Sequence, residues 1–170
     1  MTEPELTSES TVYVLYIAST PEQVWNAITS SAFTTQYFFG RGVESDWNEG
    51  SAWNLRKADG TIDVWGLVRK ADPPRTLVVT WNVRGMEGQQ QAPPPECVVT
   101  YQVEEAGDGV VRLTMTEAHP TPIPVEWLEG GRRGWPMILS GLKSLLETGK
   151  PLPLNTPSSP QSQKRSFHVE

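Results

Sequence analysis

Gly134-Trp135-Pro136-Met137-Ile138-Leu139-Ser140-Gly141-Leu142-Lys143-Ser144-Leu145-Leu146-Glu147-Thr148-Gly149 is the stretch whose reading decides the fold. Trp135, Ile138, Leu139, Leu142, Leu145 and Leu146 recur at the spacing of one helix face, and Gly149 stands where a helix stop belongs. Such a helix needs something large and apolar to lie on, and the residues before it read as a sheet. The helical pattern reaches back to Val125. Pro136 lacks an amide hydrogen and its ring crowds the carbonyl of Arg132, so a bend or a restart near Gly134 is expected. A long helix closing a β-rich body is one way to build a concave apolar pocket.

Upstream, Thr11 to Ala18 is rich in β-branched and aromatic residues and reads as a first strand, long or central. A helix follows at once, with Thr20 as N-cap, Pro21 at the first helical position and Gln23 completing a capping box. Val24, Ala27 and Ile28 form its buried stripe. Ser30 to Phe39 reads as a second short helix, capped by Ser30 or Ser31, packing Phe33, Tyr37 and Phe38, and ended by Gly40.

From Gly42 the apolar period becomes two. Ser51 to Arg56, Ile62 to Lys70, Thr76 to Val83, Cys97 to Glu104 and Val110 to Glu117 read as antiparallel strands. Turns are signalled at Asp59-Gly60, Asp72-Pro73-Pro74 and Gly107-Asp108-Gly109. Alternation puts Leu77, Val79, Trp81 and Val83 on one face, with Val99, Tyr101 and Val103 pairing to them and Val111, Leu113 and Met115 extending the surface. Arg84 to Pro95 carries three Gln and three consecutive Pro, which makes it a loop and a candidate lid. Residues 1–10 are expected to be flexible, residues 11–150 to form one domain, and the Pro- and Ser-rich residues 151–170 to be a disordered tail.

Composition excludes several classes. With 170 residues there is room for one sizeable core, and a formal charge of -6 does not supply the basic face that nucleic acid requires. The longest apolar run, Val12 to Ala18, is too short to cross a membrane, and the polar, acidic start does not resemble a signal peptide. Cys97 is the single cysteine, so no intramolecular disulfide forms, and a cytoplasmic location is expected. Seven Trp are many for a domain of this size, and each buried indole N–H needs a partner, so several are expected to line a mixed cavity or its rim.

Material for catalysis is sparse. Two histidines, His119 and the tail's His168, give almost nothing for a metal site or a hydrolase triad, and neither metal nor cofactor is expected. Glu117 and His119 share a strand face and form the one candidate proton-transfer pair, although a solvent-facing pair before Pro120 is the plainer reading. Cys97 reads as a small buried residue. Glu129 and Arg133 read as an exposed ion pair one helical turn apart. Gly40-Arg41-Gly42 lacks the third glycine of a dinucleotide fingerprint, and Ser140 has no nucleophile elbow around it.

The segment Ile17-Ala18-Ser19-Thr20-Pro21-Glu22-Gln23-Val24-Trp25-Asn26-Ala27-Ile28-Thr29, the runs Asp59-Gly60 through Trp65-Gly66 and Asp72-Pro73-Pro74-Arg75-Thr76-Leu77 with Trp81, and the closing helix stand in an informative order. Over nearly all of residues 11–150 the chain resembles the SRPBCC (START/Bet v 1-like, helix-grip) superfamily, in the branch related to the C-terminal domain of the activator of Hsp90 ATPase. The resemblance implies an α+β helix-grip fold, in which an antiparallel sheet of about six or seven strands wraps around the long C-terminal helix, with two short helices after the first strand. It also implies an internal cavity that in related proteins accepts hydrophobic or amphipathic molecules.

The expected lining is Trp53, Trp81, Tyr101 and Met115 from the sheet and Trp135, Leu139 and Leu142 from the helix, with Tyr37 and Phe38 guarding an opening. The leading expectation is a binder of a hydrophobic small molecule rather than an enzyme. The alternatives are a chaperone-related module that contacts a protein partner, and an enzyme of the polyketide cyclase or hydrolase type using Glu117 and His119. Either a monomer or a homodimer fits.

Overall fold

The computed structural model describes residues 3–84 and 96–154. Its elements are, in order, β1 (Leu6–Thr7), β2 (Thr11–Ile17), α1 (Pro21–Thr29), α2 (Ser31–Tyr37), β3 (Gly42–Ser45), β4 (Ala52–Arg56), β5 (Ile62–Asp72), β6 (Thr76–Thr80), β7 (Asn82–Val83), β8 (Val98–Gly107), β9 (Val110–Ala118), β10 (Ile123–Pro124) and α3 (Val125–Thr148). Among the described residues the main sheet runs β2-β9-β8-β6-β5-β4-β3, with β7 also paired to β5, and every pairing is antiparallel. This is the helix-grip α+β arrangement: α3 buries Leu128, Trp135, Ile138, Leu139, Leu142 and Leu145 against the sheet and α1 and α2.

Local chemistry explains most boundaries. The Thr20 hydroxyl accepts the Gln23 amide at 3.3 Å, Pro21 opens α1, and Val24, Ala27 and Ile28 are buried as the stripe requires. The capping box is only half made, because the Gln23 side chain accepts from the Ser19 hydroxyl at 2.8 Å instead. Gly149 adopts φ 82 and its amide reaches the Leu145 carbonyl at 2.9 Å, ending α3 in a left-handed cap.

Several expectations change. β2 is an edge strand, not a central one: Tyr13, Leu15 and Ile17 face inward while Val12, Val14 and Tyr16 remain 58%, 54% and 52% exposed. The strand expected from Thr76 to Val83 breaks at Trp81, so that β6 and β7 flank it. β3 is an additional strand that sequence pattern alone did not mark. Within the stretch read as flexible, Leu6–Thr7 pairs with Ile123–Pro124. α3 is one unbroken helix through Pro136. Pro136 is exposed, so the backbone groups that its ring leaves unpaired can turn to water. Glu129 and Arg133 are exposed but form no ion pair among the described residues; Arg132 instead reaches Glu9 at 3.5 Å and the Thr11 hydroxyl at 2.9 Å. The candidate lid over residues 85–95 and most of the tail, residues 155–170, lie outside the described residues.

Candidate functional site

Strand register assembles the site. On the inward face Leu77 pairs with Tyr101 and Val79 with Val99, as alternation requires, while β9 sets Met115 opposite Tyr101 and Glu117 opposite Val99. Continuing that register past the strand ends brings Cys97 opposite His119, two residues beyond Val99 and Glu117 and so on the same face. Three chemically capable side chains from distant parts of the sequence therefore meet at one end of the sheet, under the first half of α3.

Here the structure corrects the plainer reading of Glu117 and His119. Glu117 is 8% and His119 4% exposed, so the pair is buried and not solvent-facing. The cause is α3: Trp127, Gly131 and Trp135 lie alongside both residues in the lining of one cavity. His119 Nε2 and Glu117 Oε1 are hydrogen-bonded at 2.9 Å, and the Trp135 indole donates to Glu117 Oε2 at 2.5 Å. A carboxylate removed from water requires such partners, and here both oxygens have one. His119 Nδ1 is buried with no partner among the described residues.

Burial, and then the charge of Glu117, push the phenol of Tyr101 and the thiol of Cys97 above their ordinary values. For Tyr13 burial and Glu117 raise the phenol against an opposing contribution from Arg132. Cys97 is thus a protonated, weakly nucleophilic thiol at neutral pH.

The cavity at this end has a volume of about 450 Å³. Its walls are largely apolar, with Trp81, Val83, Ile123, Trp127 and Trp135, and its polar groups include Glu117, His119, Cys97 and Arg84. The size and lining suit a small organic ligand.

The residues expected to line a cavity separate into three groups. Trp81 and Trp135 face the 450 Å³ space. Tyr37, Phe38, Trp53, Tyr101 and again Trp81 surround only about 20 Å³, room for about one water and not for an organic ligand. Met115, Leu139 and Leu142 are core side chains. Phe38 and Tyr37 are both buried, Phe38 with its ring 6.0 Å from Trp81 and 5.7 Å from Trp135, and the Tyr37 hydroxyl donates to the Ala27 carbonyl at 2.7 Å. The Trp53 indole crosses Gly66, its β-sheet partner, to donate to the Thr80 carbonyl at 2.9 Å, and its ring meets Trp81 at 4.9 Å.

Sequence reading missed Val83, Ile123, Trp127 and Gly131 as lining residues. Trp127 stands at the helical spacing that leads to Gly131 and Trp135, which is a usable signal. Ile123, in contrast, is placed by the β1–β10 pairing, which two-residue strands do not announce.

Residues 18–147 match the family model described as activator of Hsp90 ATPase homolog 1-like protein. Similar solved structures include a protein from Mesorhizobium loti, with TM-score 0.68 and 24% identity over 81% of this chain and 96% of that one. An HSP90 activator from Plasmodium falciparum aligns with TM-score 0.60 and 20% identity over 74% of this chain and 86% of that one. An Aha1 dimer from Colwellia psychrerythraea aligns with TM-score 0.65 and 18% identity over 84% of this chain and 98% of that one. No curated protein matches the chain in sequence. At these identities the solved structures establish the fold. The family match spans most of the chain, and the protein belongs to the activator of Hsp90 ATPase homolog 1-like family.

Proposed function

We propose that this protein binds an amphipathic small molecule in the 450 Å³ cavity at the Glu117 end of the sheet. The observation that carries this reading is a space with tryptophan and aliphatic walls that also holds a buried carboxylate–imidazole pair. The walls favour an apolar body of the ligand by removing its surface from water, at about 25 cal/mol per Å². The Glu117–His119 pair and Arg84 favour a polar group at one end, which sets orientation. In this reading Trp81 and Trp135 meet the ligand, and the remaining aromatics support the wall from behind.

Native mass spectrometry of the purified protein, with Trp-fluorescence titration against lipids, aromatics and polyketide-like compounds, tests this. A co-purified mass, or quenching that saturates at micromolar ligand, supports the reading. A clean ligand-free mass with no response to any compound contradicts it.

A second reading, contact with a chaperone, is favoured by the family's own description and by the likeness to the P. falciparum HSP90 activator. A stoichiometric complex with Hsp90 at micromolar concentrations would support it, and a failed pulldown under those conditions would count against it.

A further inference from the structure

With two histidines and one cysteine, the sequence offers little to a metal ion, but the fold brings Cys97 and His119 together. Cys97, Glu117 and His119 each bring one potential ligand atom, and these atoms lie within 4.8 Å of one another. We propose that Cys97, Glu117 and His119 form a zinc site whose remaining coordination position opens onto the cavity.

Three observations carry this. The first is donor chemistry: a thiolate, an imidazole and a carboxylate are the ligand types zinc prefers, and three protein ligands with one open position is the pattern of reactive zinc sites. Tetrahedral zinc at its usual bond lengths of about 2.0–2.3 Å holds its ligand atoms roughly 3.3–3.6 Å apart, within a small side-chain adjustment of the observed cluster.

The second is the histidine. Its Nε2 is met by Glu117 Oε1 at 2.9 Å, while Nδ1 is buried and has no partner among the described residues. Zinc bound at Nε2 would take the place of the proton between the imidazole and Glu117 Oε1 and hold both residues at once with little movement, whereas Nδ1 points to the opposite side of the ring from Glu117. The Trp135 indole holds the other carboxylate oxygen, so the carboxylate is itself fixed from behind.

The third is the space left by Gly131. A Cβ at this position would lie 3.0 Å and 3.2 Å from the two Glu117 oxygens, tighter than ordinary contact. The helix thus approaches the carboxylate at a residue with no side chain. On zinc binding, a zinc–sulfur bond forms, the Cys97 S–H bond breaks and its proton passes to solvent.

The site shares its cavity with the proposed ligand but does not require that ligand, so the two are tested separately. Chelator-treated protein is titrated with Co²⁺, a spectroscopic probe for zinc sites. Since Cys97 is the only cysteine, any thiolate-to-cobalt charge-transfer band must come from it. The expected result is such a band, saturating near one equivalent and reversed by Zn²⁺. Cys97→Ser should abolish it, and His119→Gln should weaken Co²⁺ binding by about tenfold or more. Circular dichroism verifies that both variants fold. Absence of the band in the wild type, or unchanged binding in folded His119→Gln, would overturn the proposal. Calorimetric titration of chelator-treated protein with dodecanol and 2-naphthol reads the cavity independently of the metal.

Discussion

The Trp135 indole donates to Glu117 Oε2, tying the long helix to strand β9 at a buried carboxylate. One interaction thereby serves both stability and the site, because Glu117 also holds His119 in place. Glu117→Ala strands the indole N–H and the imidazole together, and leaving buried donors unpaired costs about 1–3 kcal/mol each. Glu117→Gln keeps an acceptor for one of them. Urea unfolding is expected to give a clearly larger loss for Glu117→Ala than for Glu117→Gln, and equal losses would show that these bonds contribute nothing.

Gly66 is required by close approach. A Cβ there would stand 1.9 Å from the Thr80 carbonyl oxygen and 2.7 Å from the Trp53 indole nitrogen, and the carbonyl is backbone that cannot swing aside. Gly66→Ala should therefore separate β5 from its neighbour or break the Trp53–Thr80 bond. A loss of about 3 kcal/mol or more is expected, read from the urea midpoint or as failure to recover folded protein. A variant of wild-type stability would contradict this geometry.

Pro136 interrupts the backbone ladder of a helix that otherwise runs unbroken from Val125 to Thr148. It is exposed, so its replacement disturbs no core contact. Pro136→Ala restores an amide facing the Arg132 carbonyl and removes the ring, with an expected gain of about 1–2 kcal/mol in unfolding free energy. A lowered midpoint would mean that the proline shapes α3 in a way the rest of the fold needs.

Glu147 accepts the Ala18 amide at 2.8 Å and the Lys143 ammonium at 2.6 Å, and these bonds hold its carboxyl below the ordinary value of 4.5. On acidification the unfolded chain takes up this proton first. The contribution is therefore complete above the ordinary carboxylate range and is lost as pH falls through the lower folded value. Glu147→Gln should flatten the acid side of the stability–pH curve below about pH 5 without steepening it near neutrality. An unchanged acid slope would place the effect elsewhere.

The fold was legible where local chemistry and periodicity agree. Thr20-Pro21 fixes the start of α1, alternation fixes β8 and β9, and the stripe from Trp135 to Leu145 fixes the buried face of α3. The edge position of β2 was not legible, since Val12, Val14 and Tyr16 are as apolar as any core strand and only pairing shows which side is open.

The site was legible in its residues but not in its state. Glu117 and His119 are recognisable as a same-face pair, yet their burial is decided by Trp127, Gly131 and Trp135 of α3. Cys97 joins them only through the β8–β9 register. The location of the open volume also lay beyond sequence, because it depends on how large aromatic side chains fill space; Phe38, Trp53 and Tyr101 close one region to about 20 Å³ while 450 Å³ remains beside it.

The most direct test of the account plugs that volume. Val83 lines the cavity in a partly exposed position, so Val83→Trp can fill the space without replacing a fully buried side chain. Wild type and Val83→Trp, matched by circular dichroism and urea midpoint, are titrated calorimetrically with the same panel of lipids, aromatics and polyketide-like compounds. Saturable micromolar binding of at least one compound to the wild type is expected, with a loss of about tenfold or more in the variant. Binding that survives Val83→Trp unchanged, or a wild type that binds nothing, would contradict it.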